Sequence, residues 1–441
     1  MLIEGLKQLI DKAIEAGITV PNTQPFVPEY SADGTHTGNI FLPGTASEQT
    51  LLTFGTSTQK QIEKELLEFI SSNPLLAIFN NNILFNFGSM WKAVPQEQLL
   101  RWVLYTASKQ GSEKTIKKLN DFLSMDYTPA TEVLAVSGIE VEDEISLPEG
   151  CRLLPFSQLP LSLSKDLLDP PNLKLERFNQ LTGVSNHVLQ RFHKPPTAAI
   201  IRKIQLTPKY IKNEEFPLTN YQGEQTKIDL FELCECLTII GKCAAQPVGH
   251  WHDMEGWVPI QWLTGGCYFP PLDNINSIMY KIPATQTSEV SSLCRDFFNL
   301  KSDVREKLRV PIQRLNQSRR RQNLADKAID VGVSFESLFL GDRLYNEQIS
   351  FTFRLRGAWF LGRDKQERLN LINIFNKMYE CRSISVHTGK LDATIKVKGR
   401  VQIETKKFLE EADALCVSSI KKIIHSGKFP NWDEIILGNS Q

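Results

Sequence analysis

Lys365-Gln-Glu-Arg-Leu-Asn-Leu-Ile-Asn-Ile-Phe-Asn-Lys-Met-Tyr-Glu-Cys-Arg382-Ser-Ile-Ser-Val-His387-Thr-Gly389 reads as one long helix stopped by a glycine. The segments around it repeat that design. A helix from Ser302 or Asp303, either of which can cap it, to about 317 is followed by one over 324–340 that stops at Gly341. The second has apolar residues at 324, 328, 329, 331, 333, 335, 338 and 339. Others are predicted over 347–361 before Gly362 and over 404–425 before Gly427. A glycine just beyond a periodic segment suits the left-handed residue that closes a helix. Residues 286–441 therefore read as an all-α bundle.

Upstream the texture differs. Apolar residues at 2, 3, 6, 9, 10 and 13 predict a short first helix, and further helices are expected at 58–72, 95–110 and 112–124. Pro95 sits near a first turn, where its missing N–H does no harm. Residues 21–57, rich in Pro, Gly, Thr and Asn, read as loops with one short strand. From 131 to 285 mixed α/β structure is expected. Thr131 to Val141 and Ala198 to Leu206 read as strands, and Ile228 to Ile240 suits either a helix or a buried strand. The fold class is thus multidomain α+β: a mainly helical region 1–130, a mixed domain 131–285 and the bundle. Trp251, Trp257 and Trp262 lie in a stretch punctuated by Pro259, Pro270 and Pro271 and read as core or interface.

Hydrophobic content of 41% and charged content of 23% are those of a globular chain, and no apolar run approaches a membrane span. Eight cysteines without a disulfide rhythm point to a reducing cytoplasm. The net charge of zero hides an asymmetry. Residues 1–300 carry 24 Lys and Arg against 33 Asp and Glu, and residues 301–441 carry 26 against 17. A basic C-terminal third suits a polyanionic partner, and fluctuation between domains would give the same balance.

Arg382 and His387 are the chemical candidates. RNA cleavage needs a base for the 2′-OH proton, an acid for the leaving 5′ oxygen and a cation for the charged phosphorane. Imidazole performs either proton transfer near neutral pH, and guanidinium grips phosphate in a fork. Five positions on an ideal helix separate the two by about 140° and about 7.5 Å. Gly389 would let the last turn unwind and bring them to one target. The plainer arrangement has His387 capping carbonyls and Arg382 in a surface ion pair. Tyr379 shares the Arg382 face and can contact phosphate or pack.

Leu324-Ala-Asp-Lys-Ala-Ile-Asp-Val-Gly-Val-Ser-Phe-Glu336-Ser-Leu-Phe-Leu-Gly341 together with Met378 to Gly389 resembles the Apea-like HEPN family over about 300–440. The family shows an acidic residue in an apolar helix ending near a glycine, then an Arg-x4–6-His motif. Trp432 to Leu437 looks like its tail, and the stretch from Val136 to Phe156 is more weakly similar to the segment preceding such domains. Ser383 departs from the Asn, Asp or His that often follows the arginine. The resemblance implies a metal-independent endoribonuclease whose site forms across a homodimer, with no cofactor. Relatives act in phage defence, toxin–antitoxin pairs or RNA-guided immunity, so a phage-derived or regulatory trigger acting on residues 1–285 is expected. It assigns Arg382, His387, Ser383 and Glu336 to catalysis, with Glu336 orienting Arg382. The alternative is a bundle kept for RNA binding and dimerisation without turnover. One histidine per motif against two proton transfers independently favours a dimer. His425 is explained by helix-end capping.

Two basic clusters flank the motif: Arg314, Arg319, Arg320 and Arg321, and the better placed Lys390, Lys396, Lys398 and Arg400. With Tyr379, the second is the expected RNA-binding set. Cys234, Cys236, Cys243, His250 and His252 offer zinc-type ligands, with Cys267 in reserve, but their spacing matches no strong signature. An apolar run is also an ordinary place for free cysteine. No phosphate loop, dinucleotide fingerprint or serine nucleophile elbow is present.

Overall fold

The computed structural model describes residues 2–18, 26–30, 36–41, 57–88, 90–160, 165, 168, 196–215, 228–255, 258–260, 279–341, 348–399 and 402–438. Trp257, Trp262, Cys267, Pro270, Pro271 and Arg400 lie outside them. The chain is mixed α+β, with a mostly helical C-terminal region.

Four helices build the first unit: α1 (Leu2–Glu15), α2 (Ser57–Ser72), α3 (Gln96–Gln110) and α4 (Ser112–Ser124). Each buries one apolar stripe. Leu6, Ile10 and Ala13 of α1 meet Ile62, Leu66 and Ile70 of α2 in a core completed by Trp102 and Phe122. Gly111 alone separates α3 from α4 at φ 87°, a conformation that only glycine adopts without strain. Between α1 and α2 lies a hairpin of β1 (Phe26–Tyr30) and β2 (His36–Phe41), two strands where the composition suggests one. A second hairpin, β3 (Ile83–Asn86) and β4 (Trp91–Ala93), precedes α3.

The middle of the chain is an antiparallel sheet. Its strands are β5 (Thr128–Ser137), β7 (Ile145–Ser146), β8 (Arg152–Pro155), β9 (Ala198–Leu206) and β11 (Gln246–Met254), in the order β11-β5-β9-β8-β7. Strand β5 ends earlier than its alternation suggests. Gly138 turns the chain at φ 84°, where a Cβ would lie 2.3 Å from the Ala244 carbonyl oxygen, and only the two-residue β6 (Ile139–Glu140) follows. The short β10 (Tyr210–Lys212) returns to pair with β3. The segment that suits helix or strand resolves as a helix, α5 (Leu230–Cys236), capped by the Asp229 carboxylate accepting from Phe231 N at 2.9 Å. After β12 (Tyr280–Lys281), which pairs in parallel with β6, the chain turns helical.

The C-terminal helices are α6 (Thr287–Phe298), α7 (Ser302–Arg320), α8 (Leu324–Leu340), α9 (Ile349–Leu361), α10 (Lys365–Thr388), α11 (Thr405–Ser426) and α12 (Trp432–Leu437), with a small hairpin of β13 (Thr394–Ile395) and β14 (Ile403–Glu404) before α11. Helix α7 begins after Lys301, so neither Ser302 nor Asp303 is its cap. It also runs past 317, through Pro311, to Arg320. Of the four terminal glycines, Gly389 and Gly427 are left-handed, at φ 66° and 68°. Gly341 continues right-handed at φ −63° and Gly362 is extended at ψ 130°, so those two ends close by other means. Helix α10 starts on a local cap: Asp364 accepts from Glu367 N at 2.9 Å while Glu367 accepts from Arg363 N at 2.8 Å.

Aromatic rings fill the bundle. Phe375 of α10 stands edge-on to Phe335 and Phe339 of α8, with centroids 5.2 and 5.5 Å away. Trp432 closes the end against Phe339 and Phe360. The same core continues into the sheet, taking in Leu134, Val136, Ala198 and Ile200 through α5. One buried ion pair ties the regions together. Arg319 grips Asp413 with Nε and Nη2 at 2.9 and 2.8 Å while Nη1 donates to the carbonyls of Thr238, Gly241 and Cys243.

Candidate active site on the long C-terminal helix

Helix α10 crosses α8 where Gly332 stands opposite Arg382. A Cβ on Gly332 would lie 2.5 Å from Arg382 Cγ and 2.8 Å from its Cβ, so the glycine admits the stem of the arginine against the α8 backbone. One turn further along α8, Glu336 accepts from Arg382 Nη2 at 3.1 Å. Both side chains are half-buried, at 30% and 23% exposure. Burial pushes the Glu336 carboxyl above its ordinary value, and the guanidinium partly draws it back. Arg382 Nε is buried without a hydrogen-bond partner among the described residues. The same holds for the Ser385 hydroxyl, three residues along on the core side of α10.

His387 is exposed, on the side of α10 away from the core. The helix stays regular through Thr388, and Gly389 N donates to Ser385 O at 2.9 Å. The last turn therefore does not unwind, because the left-handed glycine closes the helix after His387 rather than before it. Arg382 and His387 remain about 140° apart around one axis. Ser383, half-buried, is four residues before His387 and shares its face. The exposed apolar side chains Leu369, Ile384 and Val386 also lie on α10. Tyr379, half-buried, packs its ring toward α9, 5.8 Å from that of Phe353.

Beyond the helix, Lys390, Lys396 and Lys398 are exposed. The last two flank the fully buried Val397 in the β13–β14 hairpin. Arg400, the fourth member of that set, is outside the described residues. In the other basic cluster only Arg319 is buried, but all four guanidiniums have partners within the chain. Arg314 and Arg321 hold the buried Asp330 carboxylate at 3.1 and 2.9 Å, Arg320 donates to Asn316 Oδ1 at 3.1 Å, and Arg319 is the buried tie described above. Those guanidiniums are engaged by partners within the chain, which removes Arg319 altogether from any RNA surface.

The cysteine and histidine residues divide. Cys234, Cys236 and Cys243 are fully buried in the core, where Cys243 donates its S–H to Leu237 O at 3.0 Å. Burial pushes the Cys234 and Cys243 thiols up. His250 and His252 point elsewhere, to the sheet face carrying Glu132 and Arg202. Sequence reasoning overlooked Glu132, Arg202 and Ser385. It also overlooked Gly332, although a glycine inside a helix costs roughly 1 kcal/mol and so signals close packing.

No protein-family model, no curated protein and no solved structure matches this chain.

Proposed function

We propose that the C-terminal helices form a metal-independent endoribonuclease of the HEPN type, active as a dimer and restrained by residues 1–285. Arg382 binds the scissile phosphate. The 2′ oxygen attacks phosphorus and the bond from phosphorus to the 5′ oxygen breaks, leaving a 2′,3′-cyclic phosphate and a 5′ hydroxyl. His387 of one chain takes the 2′-OH proton and His387 of the second chain gives a proton to the leaving oxygen. Ser383, beside His387, donates to a non-bridging oxygen. Lys390, Lys396 and Lys398 carry the flanking backbone, with Arg400 completing that set.

The observation that carries this reading is the Glu336–Arg382 pair. A half-buried carboxylate holds Nη2 of the guanidinium, Nε is buried, and Nη1 is left for an anion. The count of imidazoles adds to it. Each chain carries one motif histidine, whereas base and acid together need two, and a twofold axis beside α10 supplies the second in trans. Exposed Leu369 and Ile384, both within about 60° of His387 around the helix, are apolar contacts for such an axis. The same pair favours a second reading, a dimeric RNA-binding module without turnover.

The test is incubation of the purified chain with RNA in EDTA. The proposal expects cleavage with 2′,3′-cyclic ends, abolished by His387→Ala. Saturable RNA binding without cleavage would favour the binding module. His387→Ala cutting at the wild-type rate would refute the site.

A further inference from the structure

Across the middle sheet, antiparallel register sets Glu132 of β5 directly opposite His252 of β11, with His250 two residues along. Alternation places all three side chains on one face. One ligand-type atom from each lies within 4.8 Å of the others. His250 Nε2 is 2.9 Å from Glu132 Oε1. From these positions we infer a binding site for a zinc-class divalent cation, held by Glu132, His250 and His252, on the sheet and apart from the proposed ribonuclease site.

The donors are arranged as ligands usually are. Arg202, opposite Glu132 on β9, holds Oε2 through Nε at 2.7 Å and Nη2 at 2.6 Å, which orients the carboxylate and leaves Oε1 for the cluster. Phe231 packs edge-on against the His250 ring, centroids 5.3 Å apart. The Nδ1 of His252 is buried with no hydrogen-bond partner among the described residues. Gly88 lies against that nitrogen, where the Cβ of any other residue would come within 2.4 Å of it. Zinc binds such atoms at about 2.0–2.2 Å, which brings tetrahedral donors to about 3.4 Å from each other. Inward rotation of the imidazoles closes the set, and the partly exposed side of His250 leaves a fourth position for water.

Ion class follows from donor chemistry. Arg202 offsets the charge of Glu132, so the two imidazoles dominate affinity. That suits zinc and its neighbours over calcium or magnesium, which want several oxygen ligands. Cys234, Cys236 and Cys243 are fully buried in the core and are not among the three residues whose ligand-type atoms gather there. Binding would pin β5 to β11 beside the loop of Gly88, joining the sheet to the first helical unit.

The whole chain, stripped with a chelator and desalted, is titrated with Zn2+ by calorimetry and with Co2+ by absorbance. One ion per chain is expected, with cobalt ligand-field bands, no thiolate-to-cobalt charge transfer and no competition from Mg2+ or Ca2+. His252→Gln should weaken binding by more than the roughly 10- to 100-fold that even an outer-shell change costs. Cys243→Ala should bind as the wild type does. Absence of saturable binding by the wild type overturns the site, as does a thiolate band or undiminished affinity in a folded His252→Gln. Should that variant not fold, the wild-type cobalt spectrum decides. RNA cleavage is expected to persist in chelator, so either inference can fail without the other.

Discussion

Replacing Gly332 by alanine adds one methyl group at the closest approach of α8 and α10. Its carbon would fall short of ordinary contact with Arg382 Cγ and Cβ by roughly 0.6 to 0.9 Å. Arg382 Cβ is fixed to its own helix, so relief requires α10 to move off α8 or Arg382 to change rotamer and release Glu336. Overpacking of this kind typically costs about 1–3 kcal/mol. Alanine returns about 0.5–1 kcal/mol of helix propensity, so the net loss of stability lies between about 0 and about 2.5 kcal/mol. The protein should stay folded while the guanidinium is displaced. Misplacement near 1 Å lowers catalysis by about 100-fold. The assay is the initial rate of RNA cleavage in EDTA, with urea unfolding of the same preparation. Gly357→Ala is the control, because its Cβ would meet Phe375 at 2.7 Å in the same bundle without touching Arg382. It should unfold more easily yet cleave normally. Wild-type cleavage by Gly332→Ala, or equal loss in both variants, would refute the view that Gly332 seats a functional arginine.

Arg382→Ala should abolish cleavage and weaken RNA binding as well, whereas His387→Ala should leave binding intact; filter binding separates the two. Ile384→Glu on the exposed face of α10 should shift the chain to a monomer by light scattering and lower activity at fixed concentration. After confirmed subunit exchange, excess His387→Ala chains should reduce wild-type activity faster than dilution does, and strict proportionality to wild-type chains would mean that each works alone. RNA affinity should fall steeply with salt, measured on the full chain because the bundle shares its core with the sheet. Lys209, buried with Nζ over the Phe122 ring and donating to Met125 O at 3.1 Å, has its pKa pushed down to about 8 by burial. A depressed lysine means that the folded state binds fewer protons than the unfolded one, so stability rises with pH from about 8 to the ordinary lysine value near 10.5. Lys209→Met should lack that rise, which urea midpoints across the range will register.

Much of the helical architecture is legible in the residues because helix signals are local. Leu324 to Leu340 and Ser112 to Ser124 appear with their predicted limits, since apolar spacing within a turn or two decides each. Ala198 to Leu206 is likewise a strand throughout, with a run of β-compatible residues between turns. Where a second element intervenes, local reading fails. The glycine after a helix suggests a left-handed end, yet Gly341 and Gly362 take other conformations because their neighbours close those ends differently. The cysteines near His250 form a tempting ligand series along the chain, but α5 and the segment after it turn them into the core.

Sequence alone thus determined most of the longer helices, where Arg382 and His387 stand on one of them, and that the basic charge gathers in the last third, while the helices Leu230–Cys236, Thr287–Phe298 and Trp432–Leu437 were not fixed by it. Tertiary structure decided which side chains meet. Glu132 reaches His250 across 118 residues and Glu336 reaches Arg382 across 46, separations at which no local pattern operates. Sheet register and the close approach of two helices at Gly332 set those meetings. Both depend on how whole faces pack, a property that belongs to pairs of elements and is written in neither one alone.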